Sequence, residues 1–304
     1  MKYDIIIVGS GPAGMTAAIY GQRSGKTTLL LDEKGFGGQI VNTPQIENYP
    51  GIKEVSGMQF ATDLRDQALS LGAELKTERV IKVEPDEDGG YAVETSSGMY
   101  HCTTVILATG AKNRPLGIEN EDKFVGSGIS YCATCDGNFF RNRTVAVVGG
   151  GNTALEDAET LAAIAAKVYL VHRRDQFRGE DALVERLKAK ENVEFVLDSV
   201  PEELEGDFAI SGLKVKNVKT DESRLLEVQG IFVAIGQMPE NSAFIDIVAL
   251  DEKGYIAARE DCRTISPGVF VAGDCRTKKV RQLTTAAADG AVSALAAVEY
   301  CNQQ

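Results

Sequence analysis

The chain has 304 residues, 43% hydrophobic and 25% charged, with 32 basic and 44 acidic side chains for a net charge of −12. These proportions suit a chain that buries a core, and the length favours about two domains. The acidic balance argues against a general binder of nucleic-acid backbones, and no apolar run approaches the ~18 residues of a membrane-spanning helix.

Residues 5–8, Ile-Ile-Ile-Val, are too short for a signal-peptide core. Short and β-branched, they predict a parallel strand buried on both faces. Gly9-x-Gly11-x-x-Gly14 follows at once, then a helical pattern over residues 15–22. A second strand over residues 27–31 closes on Asp32. A strand, this glycine spacing, a helix and an acid about 20 residues on form a dinucleotide-binding fingerprint. The glycines allow a tight turn and close approach of a pyrophosphate to a helix N-terminus. Asp32 or its neighbour Glu33 would accept from ribose hydroxyls.

Further strands are expected over residues 91–95 and 103–107, the latter leading into Ala108-Thr109-Gly110. Cys132-Ala133-Thr134-Cys135 comes next. Two intervening residues let the sulfurs form a small reversible disulfide. A zinc half-site or two inert thiols are the competing readings, although zinc would need a second close pair and the chain has only His101 and His172. Asp136 is either a proton donor or a helix cap.

Residues 145–148, Val-Ala-Val-Val, repeat the first pattern with Gly149-x-Gly151-x-x-Ala154, a helix over residues 155–166 and a strand over residues 168–171. The chain therefore carries two βαβ units, an internal duplication. The second ends on His172-Arg173-Arg174, followed by Arg178, where the first has an acid. Arginine at that position suits an adenosine bearing a 2′-phosphate, the bland alternative being a solvated basic face. Strands over residues 230–234 and 268–272 precede Ile235-Gly236 and Gly273-Asp274, and an alanine-rich helix over residues 284–299 closes the chain. Cys102, Cys262, Cys275 and Cys301 are scattered and read as packing residues or exposed bystanders.

Gly9–Gly14, Gly37-Gly38-Gln39, Glu47-Asn48-Tyr49-Pro50-Gly51, Ala108-Thr109-Gly110, Cys132-Ala133-Thr134-Cys135-Asp136-Gly137, Gly149–Ala154, His172-Arg173-Arg174, Gly273-Asp274 and Arg281-Gln282 occur in one order. In that order and spacing the chain resembles the bacterial-type, low-molecular-weight thioredoxin reductases over essentially its whole length. The resemblance implies an α/β fold of two Rossmann-like domains, the second inserted into the first. It places an FAD domain over residues 1–113 and 242–304, and an NADPH domain with the cysteine pair over residues 114–241. It implies a homodimer that reduces thioredoxin. The lack of a targeting signal and the scattered cysteines lead us to expect a cytoplasmic protein, and no metal, nucleic-acid or membrane partner is expected. Cys135 would face the flavin, Cys132 would attack the thioredoxin disulfide, and Asp136 would be the acid/base.

By the same resemblance the FAD contacts are Gly9, Gly11, Pro12, Ala13, Gly14, Asp32, Glu33, Gly38, Gln39, Asn48, Val80, Ala108, Thr109, Gly110, Gly273, Asp274, Arg281, Gln282 and Leu283. The NADPH contacts are Gly149, Gly151, Asn152, Thr153, Ala154, His172, Arg173, Arg174, Arg178, Ile235 and Gly236. Relatives often carry a basic residue before the cysteine pair and an aromatic where Asn138 stands. This chain has neither, which bears on the choice of acceptor. The alternatives are a same-fold enzyme serving a glutaredoxin-like protein, a peroxiredoxin module or oxygen, and a flavin-binding redox sensor.

Overall fold

Ile5, Ile6 and Ile7 are wholly buried and alternate between two apolar layers. A strand covered on both faces needs a neighbour on each edge and a packed layer on each side. The computed structural model, which describes residues 2–43, 45–87 and 89–304, supplies both. The chain divides into two compact units, Met1–Lys112 with Met238–Gln304, and Asn113–Gln237.

The first unit contains β1 (Lys2–Val8), β2 (Thr28–Asp32), β3 (Glu74–Thr77), β4 (Val80–Pro85), β5 (Tyr91–Thr95) and β6 (Met99–Leu107) in the order 3-2-1-6-5-4. Strands β3, β2, β1 and β6 are parallel. Strand β6 changes partner along its length. Its first half, Met99 to Cys102, pairs antiparallel with β5, while Val105 to Leu107 pair parallel with the late strand Val269–Val271.

Ile5 and Ile7 pack under the helix α1 (Pro12–Arg23), the helix α2 (Gly57–Ser70) and the C-terminal helix Leu283–Cys301. Ile6 and Val8 face Val83, Val93, Phe244 and Ile256 on the other side. The C-terminal helix meets α1 backbone to backbone: a Cβ on Gly290 would stand 2.3 Å from the Ala13 carbonyl oxygen.

The second unit holds an all-parallel sheet in the order Val193–Val196, Lys167–Val171, Thr144–Gly149, Gly230–Ala234, Ile129–Ser130. The helices Asn152–Ala162 and Asp181–Lys188 bury Leu155, Ala158, Leu161, Leu183 and Leu187 against it. A three-stranded antiparallel sheet, Ser199–Gly206, Ile210–Asn217 and Ser223–Glu227, covers Val148 and Val233 from the other side.

Both fingerprint helices begin three residues before their expected starts, because the second glycine is the N-cap and Pro12 or Asn152 begins the helix. Among the described residues no helix is long and apolar enough to cross a membrane.

Candidate active site

Cys132 and Cys135 are joined in a disulfide, Cα to Cα 5.3 Å, on the helical turn Ala133–Asp136. Ser130, at the end of the edge strand Ile129–Ser130, anchors the entry to this turn. Its hydroxyl accepts from the Cys132 N–H at 3.1 Å and donates to Asp136 Oδ2 at 2.6 Å. Cys132 caps the turn, its Sγ accepting from the Cys135 N–H at 3.1 Å. That bond points at the sulfur that would carry charge as a thiolate, and a donor there favours the charged form.

Asp136 is half-buried, and its Oδ1 is buried with no hydrogen-bond partner among the described residues. Burial pushes its carboxyl above the ordinary range, and the Ser130 bond only partly opposes this. A carboxyl that holds its proton more tightly than usual beside a sulfur pair is placed to supply one.

In the first unit, the expected FAD residues converge at the C-terminal ends of the parallel strands, where open α/β sheets hold ligands. Gly9 has φ +105°, and a Cβ there would stand 2.3 Å from the Ala108 carbonyl oxygen. A Cβ on Gly14 would come within 1.9 Å of the Gly9 oxygen. Across this turn, a Cβ on Gly38 would stand 3.3 Å from the Gly11 Cα, so the two backbones lie in close contact. Helix α1 starts at Pro12 with no side chain capping its N–H groups, and such orphan donors suit an anion.

Gly273 packs on Ala13, the Gln39 amide donates to the Ala111 carbonyl, and Thr109 donates to Asn241 at 2.9 Å. Asn48 donates to Gln282 at 3.3 Å. Gln282 caps the helix on which Leu283 is the first residue, and Arg281 stacks 4.1 Å from the Tyr255 ring centroid. Asp274 Oδ1 is a second buried oxygen with no partner among the described residues, and burial raises this carboxyl too. Gly110 has φ +70° with open space beside it.

Asp32 is occupied by the protein itself. Its Oδ2 accepts from the Ser10 N–H at 2.8 Å and its Oδ1 from the Lys34 N–H at 2.9 Å, so the carboxylate ties the fingerprint turn to the end of β2. Glu33 is exposed, and Val80 opens β4 and packs on the sheet core.

The second unit repeats the glycine turn. A Cβ on Gly149 would stand 2.4 Å from the Ala234 oxygen and 2.7 Å from the Ala154 Cβ. Gly151 is open beside an uncapped helix N-terminus. Asn152 is bonded in both directions to Glu180, and Thr153 is exposed. Ile235 and Gly236 follow the strand Gly230–Ala234, and the Gly236 carbonyl accepts from the Arg114 N–H at 3.0 Å.

Arg173, Arg174 and Arg178 are exposed, and no acidic side chain engages them among the described residues. His172 is different. It is buried, stacked on Phe177 with centroids 5.1 Å apart, bonded through Nε2 to the Gln176 carbonyl and packed on Gly150. Burial lowers its pKa, so it supports the arginine loop as a neutral packing group.

The remaining cysteines pack. Cys102, Cys262 and Cys275 are fully buried, and burial pushes the first two up to about 12. Cys301 is half-buried beside Thr104. Among the described residues no three His, Cys, Asp or Glu side chains converge as metal ligands. Sequence reasoning missed Ser130, whose only signal is its place two residues before Cys132. It also missed Asn241, Arg276 and Asp289, whose partners lie far along the chain.

The sequence model of the family described as pyridine nucleotide-disulphide oxidoreductase matches residues 3–290. Thioredoxin reductase of Listeria monocytogenes is 39% identical over 302 residues, 99% of this chain and 94% of the relative. Thioredoxin reductase of Treponema pallidum is 40% identical over 299 residues, 98% of this chain and 97% of the relative. The crystal structure of thioredoxin reductase from Streptococcus pyogenes is similar at a TM-score of 0.94 and 40% identity, covering 100% of this chain and 99% of that one.

Proposed function

This chain belongs to the pyridine nucleotide-disulphide oxidoreductase family and, within it, to the thioredoxin reductases, and on that premise we propose that it reduces the disulfide of thioredoxin with electrons from NADPH, passed through FAD to the Cys132–Cys135 pair. The observation that carries this reading is the disulfide itself, closed on a helical turn beside a half-buried carboxyl raised above its usual range.

The residues present fit both cofactors. Asp274 offers a buried oxygen without a protein partner among the described residues, and the uncapped start of α1, next to the side-chain-free Gly11, suits a pyrophosphate. The open Gly151, the second uncapped helix and three unengaged arginines fit a 2′-phosphorylated dinucleotide. When bound there, the two cofactors would supply the Cys132–Cys135 disulfide with the two electrons that open it.

The chain's own groups then do the sulfur chemistry. Cys132, favoured as a thiolate by the Cys135 N–H, attacks one sulfur of the partner disulfide and expels the other as a thiolate. Asp136 gives that leaving sulfur its proton, Ser130 having held the carboxyl in place. The Cys135 thiolate next attacks Cys132 in the mixed disulfide, releasing the partner's second sulfur and closing the Cys132–Cys135 bond.

We place the enzyme in the cytoplasm as a homodimer. Four free cysteines suit a reducing compartment, and the resemblance supports the dimer. The deciding experiment follows NADPH consumption by the purified yellow protein with a panel of thioredoxin-fold proteins from the same source. Sustained turnover with thioredoxin is expected. A colourless protein that takes up no flavin would overturn the reading.

A further inference from the structure

One residue outside the expected cofactor contacts joins three parts of the FAD site. The parallel ladder between β6 and the late strand Val269–Val271 ends at Leu107 and Val271. Past it both chains turn, at Gly110 with φ +70° and at Gly273 with φ +80°. Asn241, 1% exposed, bridges the two turns. Its Oδ1 accepts from the Thr109 hydroxyl at 2.9 Å, and its Nδ2 donates to the Cys275 carbonyl at 3.0 Å and to the Gly254 carbonyl at 2.9 Å.

Each partner is, or adjoins, a residue tied to the dinucleotide. Thr109 is one of the expected contacts, Cys275 follows Asp274, and Gly254 precedes Tyr255, on whose ring Arg281 stacks. Chemistry fixes which way the amide points: two carbonyls can only accept, so the NH2 end must face them. The local chain does not need this side chain. The short turn Ser242–Phe244 is started by the Asn241 main-chain carbonyl, which accepts from the Phe244 N–H at 3.0 Å and which any residue supplies. A buried amide that spends its donors and its acceptor on distant segments is there for those segments.

We propose that Asn241 is a positioning residue for FAD, holding the turns 108–110 and 273–275 at the spacing the cofactor needs. It acts through Thr109 and through the turn that carries Asp274. Without the amide, a hydroxyl and two carbonyls must find new partners in a dry site, and the turns move to do so.

The inference rests on the reading that the first unit holds FAD. The full chain, stripped of flavin, is titrated with FAD by flavin fluorescence, and its thermal unfolding is followed with and without FAD. Asn241→Leu should raise the FAD Kd about tenfold, the scale of one or two neutral hydrogen bonds. Added FAD should then raise its Tm less than it raises that of the wild type. A purely structural amide would lower both unfolding temperatures equally and leave Kd alone. Asn241→Asp has the same shape and keeps an acceptor for Thr109, but turns an oxygen toward two carbonyls, so its Kd should rise as well. A Kd within about twofold of wild type in either folded variant would overturn the assignment. If Asn241→Leu does not fold, Asn241→Asp decides alone. A wild-type chain that takes up no FAD would overturn the cofactor reading and this inference with it, whereas wild-type uptake with unaltered variants overturns the inference only.

Discussion

Arg276 and Asp289 meet in a two-point ion pair inside the first unit, Nε to Oδ2 and Nη2 to Oδ1 both at 2.8 Å. Both residues are almost wholly buried, at 2% and 6% exposure. Lys278 adds a third bond at 2.8 Å, and the Gly273 N–H donates to the same carboxylate at 3.0 Å. One carboxylate on the C-terminal helix thus holds the turn that presents Asp274.

Asp289→Asn should be among the most destabilising single changes in the chain, because it strands two buried cations. Removing one partner of such a pair costs about 3–5 kcal/mol, read as a lower denaturant midpoint. Burial alone would raise the Asp289 carboxyl, but the bonds from Arg276 and Lys278 bring it below its ordinary value. Its stabilisation is therefore full above the unfolded carboxylate pKa and fades as pH falls through the lower folded value. The variant should lack that acid-dependent segment, and an unchanged pH–stability curve would refute the account.

The two glycine turns separate folding from binding. Gly14→Ala drives a Cβ into the Gly9 carbonyl, so a loss of about 3 kcal/mol is expected, at the upper end of overpacking costs. Gly151→Ala meets nothing within 4 Å and should stay within about 0.5 kcal/mol of wild type. Its effect should appear instead as a raised KM for NADPH. Thermal unfolding and steady-state kinetics distinguish the two, and equal stability losses would show that Gly151 is structural.

Replacing both Arg173 and Arg174 with alanine should lower kcat/KM for NADPH roughly 10²-fold, the equivalent of about 3 kcal/mol at a partly solvated phosphate. The NADH reaction should barely change, since that nucleotide has no 2′-phosphate to lose. Equal efficiency of the wild type with both nucleotides would contradict the assignment.

Asp136→Asn should trade activity for stability. The carboxyl must hold its proton to serve the leaving sulfur, so wild-type turnover should decline as pH rises through its elevated pKa. The amide cannot supply that proton, and a loss of about 10²–10⁴-fold is expected with the alkaline limb gone. An acid whose folded pKa is raised costs stability above that value. The variant should therefore unfold at a higher temperature than wild type in neutral and alkaline buffer. A variant both active and less stable would remove Asp136 from the mechanism.

The parallel strands were legible because burial on both faces writes itself as unbroken apolar runs, as in residues 5–8, 145–148 and 230–234. The antiparallel sheet formed by Ser199–Gly206, Ile210–Asn217 and Ser223–Glu227 was not. Glu202, Glu203 and Glu205 crowd its first strand, and its alternation is broken by register shifts after Pro201 and Glu205. The edge strand Ile129–Ser130 is too short to leave a periodic signal.

At the site, glycine spacing and the cysteine pair stood out because few other residues permit those backbones or that chemistry. Partners made only by the fold did not. Nothing local tells that Asp32 would turn one oxygen to the Ser10 N–H and the other to the Lys34 N–H.

The late strand Val269–Val271 and the contact of Gly290 with Ala13 have a consequence for the order of synthesis. The fingerprint turn around Gly9 waits on residues 269–301, made after the whole second unit, for a strand neighbour and a helix cover. The stretch from Asn113 to Gln237 is contiguous and holds every strand of its parallel sheet and of its three-stranded antiparallel sheet. On a ribosome the middle of this polypeptide can fold before its beginning does. Nascent chains arrested before residue 269 should resist protease over residues 113–237 and remain open to it over residues 2–112. The fingerprint turn thus closes after the unit that follows it in sequence.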